Sequence, residues 1–476
     1  MAFGFGPWKQ RKKVGGTPAP TPYDIIILAG QSNMAGRGTP RSGVLDIDDA
    51  KVDQFGAYAS GSLYQIIGND ITPLQHPEAL VNTNNHVGIG EYLGRTYAAN
   101  NPTRKVLLVP VAVGGTALAS GAAPWASGNP GGTLYEQAIS QANLAVTAAV
   151  AAAPGSAVVG IAWIQGETDG DAVVSQPTYL AALNSLIAGF RARITGATNA
   201  WFLIGSMVPE AILTNGGYPA IDEAHMRATL AGTGIIFERG PRGFSDDNLH
   251  YNIGGVRAFG PALANAVPRA VKAEVKIDFE CDAVGSVAPI GTGSNNGGAA
   301  NTPLIVNVSG SKRLTSSGSG AIAANTIFGV YFRCTAGTMT DCVIEWDETY
   351  TTPGRAGMTM RAQGFTPNNS VGRDGYLFQP TSALDQYRIG KVVGGVFTQL
   401  AISSALAQFS GRRHRMSCIG TTVKWEYSDD GGANWTTACT VTDSTYAAGQ
   451  TSYVQGFGNA TAGTMFIDNI SIRKAI

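Results

Sequence analysis

The chain has 476 residues, more than one hydrophobic core ordinarily serves, so two domains are expected. Lys+Arg 33 balance Asp+Glu 33, which argues against nucleic acid as a partner. No apolar run approaches the roughly 18 residues of a membrane helix, so no membrane span is expected.

Residues 1–22, "MAFGFGPWKQRKKVGGTPAPTP", form a basic Gly/Pro-rich leader carrying Phe5 and Trp8. Its bases follow the aromatics and it has no long apolar stretch, which is not the order of a secretory signal. Such a composition cannot bury a core and is expected to be a flexible or docking tail.

From Tyr23 to about Ala273, short apolar runs alternate with helical periodicity. The strand candidates are "DIIILA" (24–29), "KVLLVPVAV" (105–113), "AVVGIAWI" (157–164), "WFLIGSM" (201–207) and "GIIFE" (234–238). Helical segments lie between them, one with Leu180, Leu183, Ile187, Phe190 and Ile194 on a single face. Near-continuous apolar strands alternating with amphipathic helices predict a parallel sheet covered on both faces, with ligands at the carboxyl ends of its strands.

After Glu274, helical periodicity gives way to short alternating runs such as "CVIEWDE", "TVKWEYS" and "MFIDNISIRK", which predict an antiparallel sandwich or jelly roll over 274–476. Its first and last runs, "EVKIDFE" and "MFIDNISIRK", are suited to pair. "YSDDGGANW" (427–435) resembles an Asp-box hairpin turn, with Trp435 folding back onto it. It occurs once, which excludes a propeller. All five cysteines (Cys281, Cys334, Cys342, Cys418, Cys439) lie in this part, and their spacings match no zinc pattern. Buried free thiols are expected, with no metal and no cofactor.

The chemistry concentrates at strand ends. "IIILAGQSNMAGRG" (25–38) sets Ser32 among small residues just after the first strand. A serine hydroxyl becomes nucleophilic only when a base takes its proton and a third group orients that base. Of the five histidines, His76, His86 and His414 read as surface residues. His225 and His250 each follow an acid by three positions, Asp222 and Asp247. The first pair lies on a helix, as surface neighbours. The second lies in "FSDDNLHYNIGG", a loop after the last strand, and that position favours His250. Gly114-Gly115 in "VAVGGTAL" bares a backbone N–H, and the Gln165 side chain in "WIQGETDG" offers an amide donor to an oxyanion.

"GQSNMAG", "GGT", "WIQGETD" and "DNLH" together resemble the blocks of the SGNH (GDSL-like) hydrolase superfamily, in its sialate O-acetylesterase and acetylxylan esterase branch. The resemblance covers roughly residues 24–260. It implies a three-layer α/β/α fold and a metal-free serine esterase that removes acetyl groups from carbohydrate through an acyl-enzyme. Carried over, Ser32 is the nucleophile, His250 the base and Asp247 its orienter. The N–H groups of Ser32 and Gly115 and the Gln165 amide form the oxyanion hole, with Gln31 and Glu167 bracing the site from behind. The superfamily's usual block has asparagine where Gln165 stands; Gln-Gly-Glu is the carbohydrate-esterase variant.

The C-terminal part resembles concanavalin-like or carbohydrate-binding jelly rolls, and a spacer or assembly role is the alternative to glycan binding. The leader and the β-rich appendage together look like a phage tail protein, which would place the enzyme on a virion with the leader docked to the particle; otherwise it is expected in the cytoplasm. Two other functions remain open: a lipid or short-chain ester hydrolase, and a receptor-binding protein that keeps the esterase fold as a scaffold.

Overall fold

The computed structural model describes residues 20–58, 66–74, 86–127, 133–271, 274–277, 303–308, 311–316, 327–328, 341–350, 355–362, 374–381, 385–407, 409–446, 451–457 and 465–474. The leader through residue 19, His76, Cys281 and Cys334 lie outside the described residues.

The strand β1 (Tyr23–Gly30) is buried along its whole length, as a central parallel strand must be. After it come α1 (Ser32–Ala35), β2 (Val52–Tyr58), β3 (Ile66–Pro73), α2 (Ile89–Asn100), β4 (Lys105–Pro110) and α3 (Thr133–Ala152). Next are β5 (Ala157–Ile164), α4 (Glu167–Asp171), α5 (Gln176–Arg193), β6 (Trp201–Gly205), α6 (Pro209–Thr214), α7 (Tyr218–Ala231), β7 (Ile235–Glu238) and α8 (Ile253–Ala266). The sheet order is β3-β2-β4-β1-β5-β6-β7. Strands later in sequence lie on both sides of β1, so the winding direction reverses there and leaves a crevice beyond its carboxyl end.

Helices cover both faces. On one, Gly90 of α2 sits against Leu28, where a Cβ would come within 2.3 Å of Leu28 Cδ1. Gly260 of α8 lets that helix lie on α2, since a Cβ there would meet Tyr92 Cβ at 2.3 Å. On the other face, Tyr135 of α3 stacks on Phe190 of α5 at 5.4 Å, and α5 packs on α7. Two features differ from expectation. The hairpin β2–β3 adds an antiparallel edge that the sequence pattern leaves unassigned. The helix α7 is buried nearly all round rather than presenting a surface.

The remaining strands are β8 (Glu274–Ile277), β9 (Pro303–Val308), β10 (Ser311–Ser316), β11 (Ile327–Phe328), β12 (Cys342–Tyr350), β13 (Arg355–Ala362) and β14 (Gly375–Pro380). They continue with β15 (Tyr387–Val393), β16 (Val396–Ile402), β17 (Arg412–Ile419), β18 (Thr422–Ser428), β19 (Thr436–Thr442), β20 (Thr451–Phe457) and β21 (Met465–Lys474). One antiparallel sheet runs β11-β20-β13-β14-β15-β16; the other contains β19-β18-β17-β12-β21-β8. Trp425 of β18 meets Phe378 of β14 and Tyr387 of β15, at 6.1 and 4.4 Å between ring centres, in the core between them. Cys342, Cys418 and Cys439 are buried free thiols. The 427–435 turn forms as its residues suggest: Asp430 accepts from the Asn434 N–H at 2.9 Å, and Trp435 Nε1 returns to Gly432 O at 3.0 Å.

The two halves share a sheet. β8 pairs antiparallel with β21 along its length, and parallel with β7 at Val275–Phe237. No helix among the described residues is long and apolar enough to cross a membrane.

Candidate active site

The turn that carries Ser32 demands a glycine before it. Gly30 has φ +128, and a Cβ there would stand 2.1 Å from Ile164 O, on the neighbouring strand. The Gln31 N–H bonds that same carbonyl at 2.9 Å, so β1 ends against β5 and the chain swings into α1 with Ser32 at its start. Ser32 is buried but for 4% of its surface.

The loop between β7 and α8 brings the histidine. Asn248 takes a left-handed φ of +57, which asparagine tolerates better than most residues. That twist wraps the backbone around Asp247, whose carboxylate accepts the N–H groups of Leu249 at 2.9 Å and His250 at 2.7 Å. His250 Nδ1 lies 2.8 Å from Asp247 Oδ2, and Nε2 lies 3.0 Å from Ser32 Oγ. A ring nitrogen facing a carboxylate carries the proton, so Nε2 is left bare to receive the serine proton. Burial acts to raise the Asp247 pKa, but the hydrogen bonds from His250 and Leu249 outweigh it and hold the carboxyl down to about 2. Asp247 therefore stays ionised throughout the neutral range.

Asn33, which the sequence pattern does not single out, ties the two segments together. Its Nδ2 donates to Leu249 O at 3.1 Å, and its Oδ1 accepts from the Tyr251 N–H at 3.0 Å, so one amide grips both neighbours of His250. Nδ2 also donates to Glu167 Oε1 at 2.7 Å. Glu167 thus braces Asn33 rather than the histidine. Its burial pushes the carboxyl pKa up to about 7, and Oε2 has no hydrogen-bond partner among the described residues.

Beyond β4, Gly115 has φ +71 with nothing within 4 Å of a Cβ, so it faces open space. Among the described residues, neither the Ser32 nor the Gly115 N–H donates to another group. Asp169 shapes the rest of this loop by accepting the N–H groups of Leu118 at 2.7 Å and Ala119 at 2.9 Å.

Gln165 departs from the expectation of an oxyanion donor. It is wholly buried, and its Nε2 faces Asp169 Oδ2 at 2.7 Å, Thr116 O at 3.1 Å and Gln31 Oε1 at 3.3 Å. Two amide hydrogens meet three acceptors, and none remains for a ligand. The physical reason is Asp169: a buried carboxylate four residues on takes the donor that the sequence pattern points into the site.

The competing pair is taken apart. Asp222 binds Arg239 at 2.7 Å, not His225. His225 is fully buried, and desolvation followed by the charge of Arg239 lowers its pKa to about 3. Its Nε2 lies 3.1 Å from Tyr179 Oη, far from any surface. His414, expected outside, is buried in the C-terminal core between Trp346 and Trp425, while His86 is half-buried.

Fold and site define a hydrolase built on a parallel sheet between helices, with its polar groups gathered at the switch point of that sheet. The family of carbohydrate esterases described as sialic acid-specific acetylesterases matches residues 22–269, and the chain belongs to it. It is a carbohydrate O-acetylesterase. Among solved structures, a protein from Arabidopsis thaliana is 22% identical over 52% of this chain and 98% of its own, with a TM-score of 0.40. NanS is 19% identical over 53% and 98%, with a TM-score of 0.42. A carbohydrate-binding module from Bacillus subtilis is 12% identical over 37% of this chain and 96% of its own, with a TM-score of 0.26. No curated protein matches the chain.

Proposed function

We propose that the chain removes O-acetyl groups from carbohydrate through an acetyl-enzyme on Ser32. Ser32 Oγ attacks the acetyl carbon as His250 Nε2 takes its proton, and the Ser32 and Gly115 N–H groups receive the charge that forms on the carbonyl oxygen. The bond from acetyl carbon to sugar oxygen then breaks, and His250 returns the proton to the departing sugar hydroxyl. Water repeats the attack on acetyl-Ser32 with the same base, releasing acetate and restoring the serine. Asp247 keeps the imidazole in the tautomer this needs.

The observation that carries this reading is the unbroken sequence of contacts Asp247–His250–Ser32, at 2.8 and 3.0 Å, beside two unoccupied backbone donors. The test is Ser32→Ala. Hydrolysis of p-nitrophenyl acetate should fall by on the order of ten-thousand-fold or more, with melting unchanged. Quenched wild-type turnover should yield Ser32 heavier by one acetyl group by mass spectrometry. A Ser32→Ala variant with more than about a tenth of wild-type turnover removes Ser32 from this role.

A further inference from the structure

With Gln165 sealed off, the site has two backbone donors and one neglected amide. We infer that the side chain of Gln31 is the third oxyanion donor, the part the sequence pattern assigns to Gln165. This rests on the reading of Ser32 as nucleophile.

The orientation of both amides is set by donor logic. Asp169 can only accept, so the Gln165 atom 2.7 Å from it is the nitrogen. The Gln165 oxygen then faces Tyr179 Oη, which donates to it at 2.6 Å. The Gln31 atom 3.3 Å from Gln165 Nε2 is its oxygen, since an amide nitrogen there would set donor against donor, and Thr168 Oγ1 donates to it at 3.3 Å. Gln31 Nε2 is therefore turned the other way. Among the described residues it donates to nothing, and it is not one of the unpartnered polar atoms sealed from solvent.

Place and burial point the same way. Gln31 precedes Ser32 and is only 3% exposed. Its amide touches Gln165 Nε2, which in turn touches Thr116 O, so it lies between the Ser32 turn and the Gly115 turn. In the resting protein this donor is open to solvent at the edge of the crevice. A negative oxygen forming between Ser32 and Gly115 would take the place of solvent as its acceptor. The buried sequence His225–Tyr179–Gln165–Gln31 fixes the amide from behind, so little reorganisation accompanies the reaction.

The test is steady-state hydrolysis of p-nitrophenyl acetate by Gln31→Ala and by Gln31→Met, which keeps the volume without the donor. Both should lose roughly a hundred- to thousand-fold in kcat. KM should move by no more than about threefold, because the charge exists only in the transition state. Gln31→Glu keeps an acceptor for Gln165 and Thr168 but presents an oxygen where the donor stood, and it should fall at least as far. A kcat near wild type in both Gln31→Ala and Gln31→Met, with Ser32→Ala inactive, overturns the role of Gln31 alone. A loss confined to KM overturns it as well and makes Gln31 a sugar contact. An active Ser32→Ala variant overturns the underlying reading instead.

Discussion

The two halves of this molecule bury charge and polarity for opposite ends. In the esterase half, buried Gln31, Asn33, Gln165, Glu167 and Asp169 cluster where β1, β4 and β5 end, bonded to one another and to turning backbone. In the C-terminal half, ion pairs run across the sheet instead: Arg413 and Arg415 flank Glu345 from the next strand, at 3.3 and 2.7 Å. His414, on the other face of that strand, stacks on Trp346 at 4.8 Å and accepts from Trp425 Nε1 at 3.3 Å. The first arrangement leaves donors unused beside a serine; the second uses its groups to hold strands together. Burial of a histidine alone therefore says nothing of catalysis. Both histidines face an acid, Glu348 Oε2 lying 3.6 Å from His414 Nε2; what separates them is the other nitrogen, which meets the Ser32 hydroxyl in His250 and an indole N–H in His414.

The sharpest way to break the comparison is to remove each histidine. His250→Ala should cost on the order of ten-thousand-fold or more in kcat/KM, and adding Ser32→Ala should cost little further, because the pair acts as a unit. His414→Ala should leave the rate on a small acetyl ester unchanged and cost about 2–4 kcal/mol of stability, from the cavity and the stranded Trp425 N–H. Urea denaturation beside the rate measurement distinguishes the two. A rate loss in His414→Ala would mean that the halves are catalytically coupled.

A smaller effect is expected at Glu167. Its pKa is raised from the ordinary 4.5 to about 7, so the folded protein holds a proton that the unfolded chain has lost. Stability is then unaffected below the unfolded value, declines as pH rises from about 4.5 to about 7, and stays lower above that. Glu167→Gln keeps an acceptor for Asn33 and should be more stable than wild type at pH 8, by at most about 3 kcal/mol, and so melt at a higher temperature. Equal melting of the two proteins at pH 8 would show that Glu167 is ionised at no cost.

The smallest effect should come from removing the C-terminal half. A chain of residues 20–271 keeps every residue of the proposed site and loses one strand pairing, between Val275 and Phe237. Its turnover of p-nitrophenyl acetate should stay within about twofold of the full chain, with a melting temperature lower by about 2–8 °C. If the C-terminal half binds glycan, the same chain should lose rate on acetylated polymer only, through lost effective concentration. An insoluble product would show that the edge of β7 and the buried face of α7 cannot stand without β8.

Much of the esterase half is legible because its strands announce themselves. "AVVGIAWI" is β5 residue for residue, and β1 exceeds its expected span by one residue at each end. The hairpin β2–β3 escapes because edge strands need not be apolar: "IIGNDITP" carries a Gly-Asn-Asp triplet that reads as a turn, and Gly56 bulges its partner. Asp222 and His225 mislead because spacing cannot reveal that α7 is enclosed by α4, α5, α6 and β8. Among the site residues, Ser32, Asp247 and His250 can be read from local spacing and strand ends. The parts of Asn33, Asp169 and Gln31 depend on partners far along the chain, and their only local signal is an amide or acid immediately after an apolar strand.

The strand β8 has a consequence for how the protein is made. As the chain leaves the ribosome, the esterase half is complete when Ala266 of α8 emerges, and its pairings are short-range by comparison with those that tie β8 to β21. Glu274 must then wait for Arg473, and Ile277 for Ile470, before β8 gains its second neighbour. Throughout that interval the nascent protein presents an open strand edge next to a finished catalytic half. Contacts of such long sequence separation form slowly, and unpaired edges invite association between chains. Synthesis rate and chaperone capture during the last stretch of translation, rather than the folding of the esterase half, should govern how much of this protein reaches its native form.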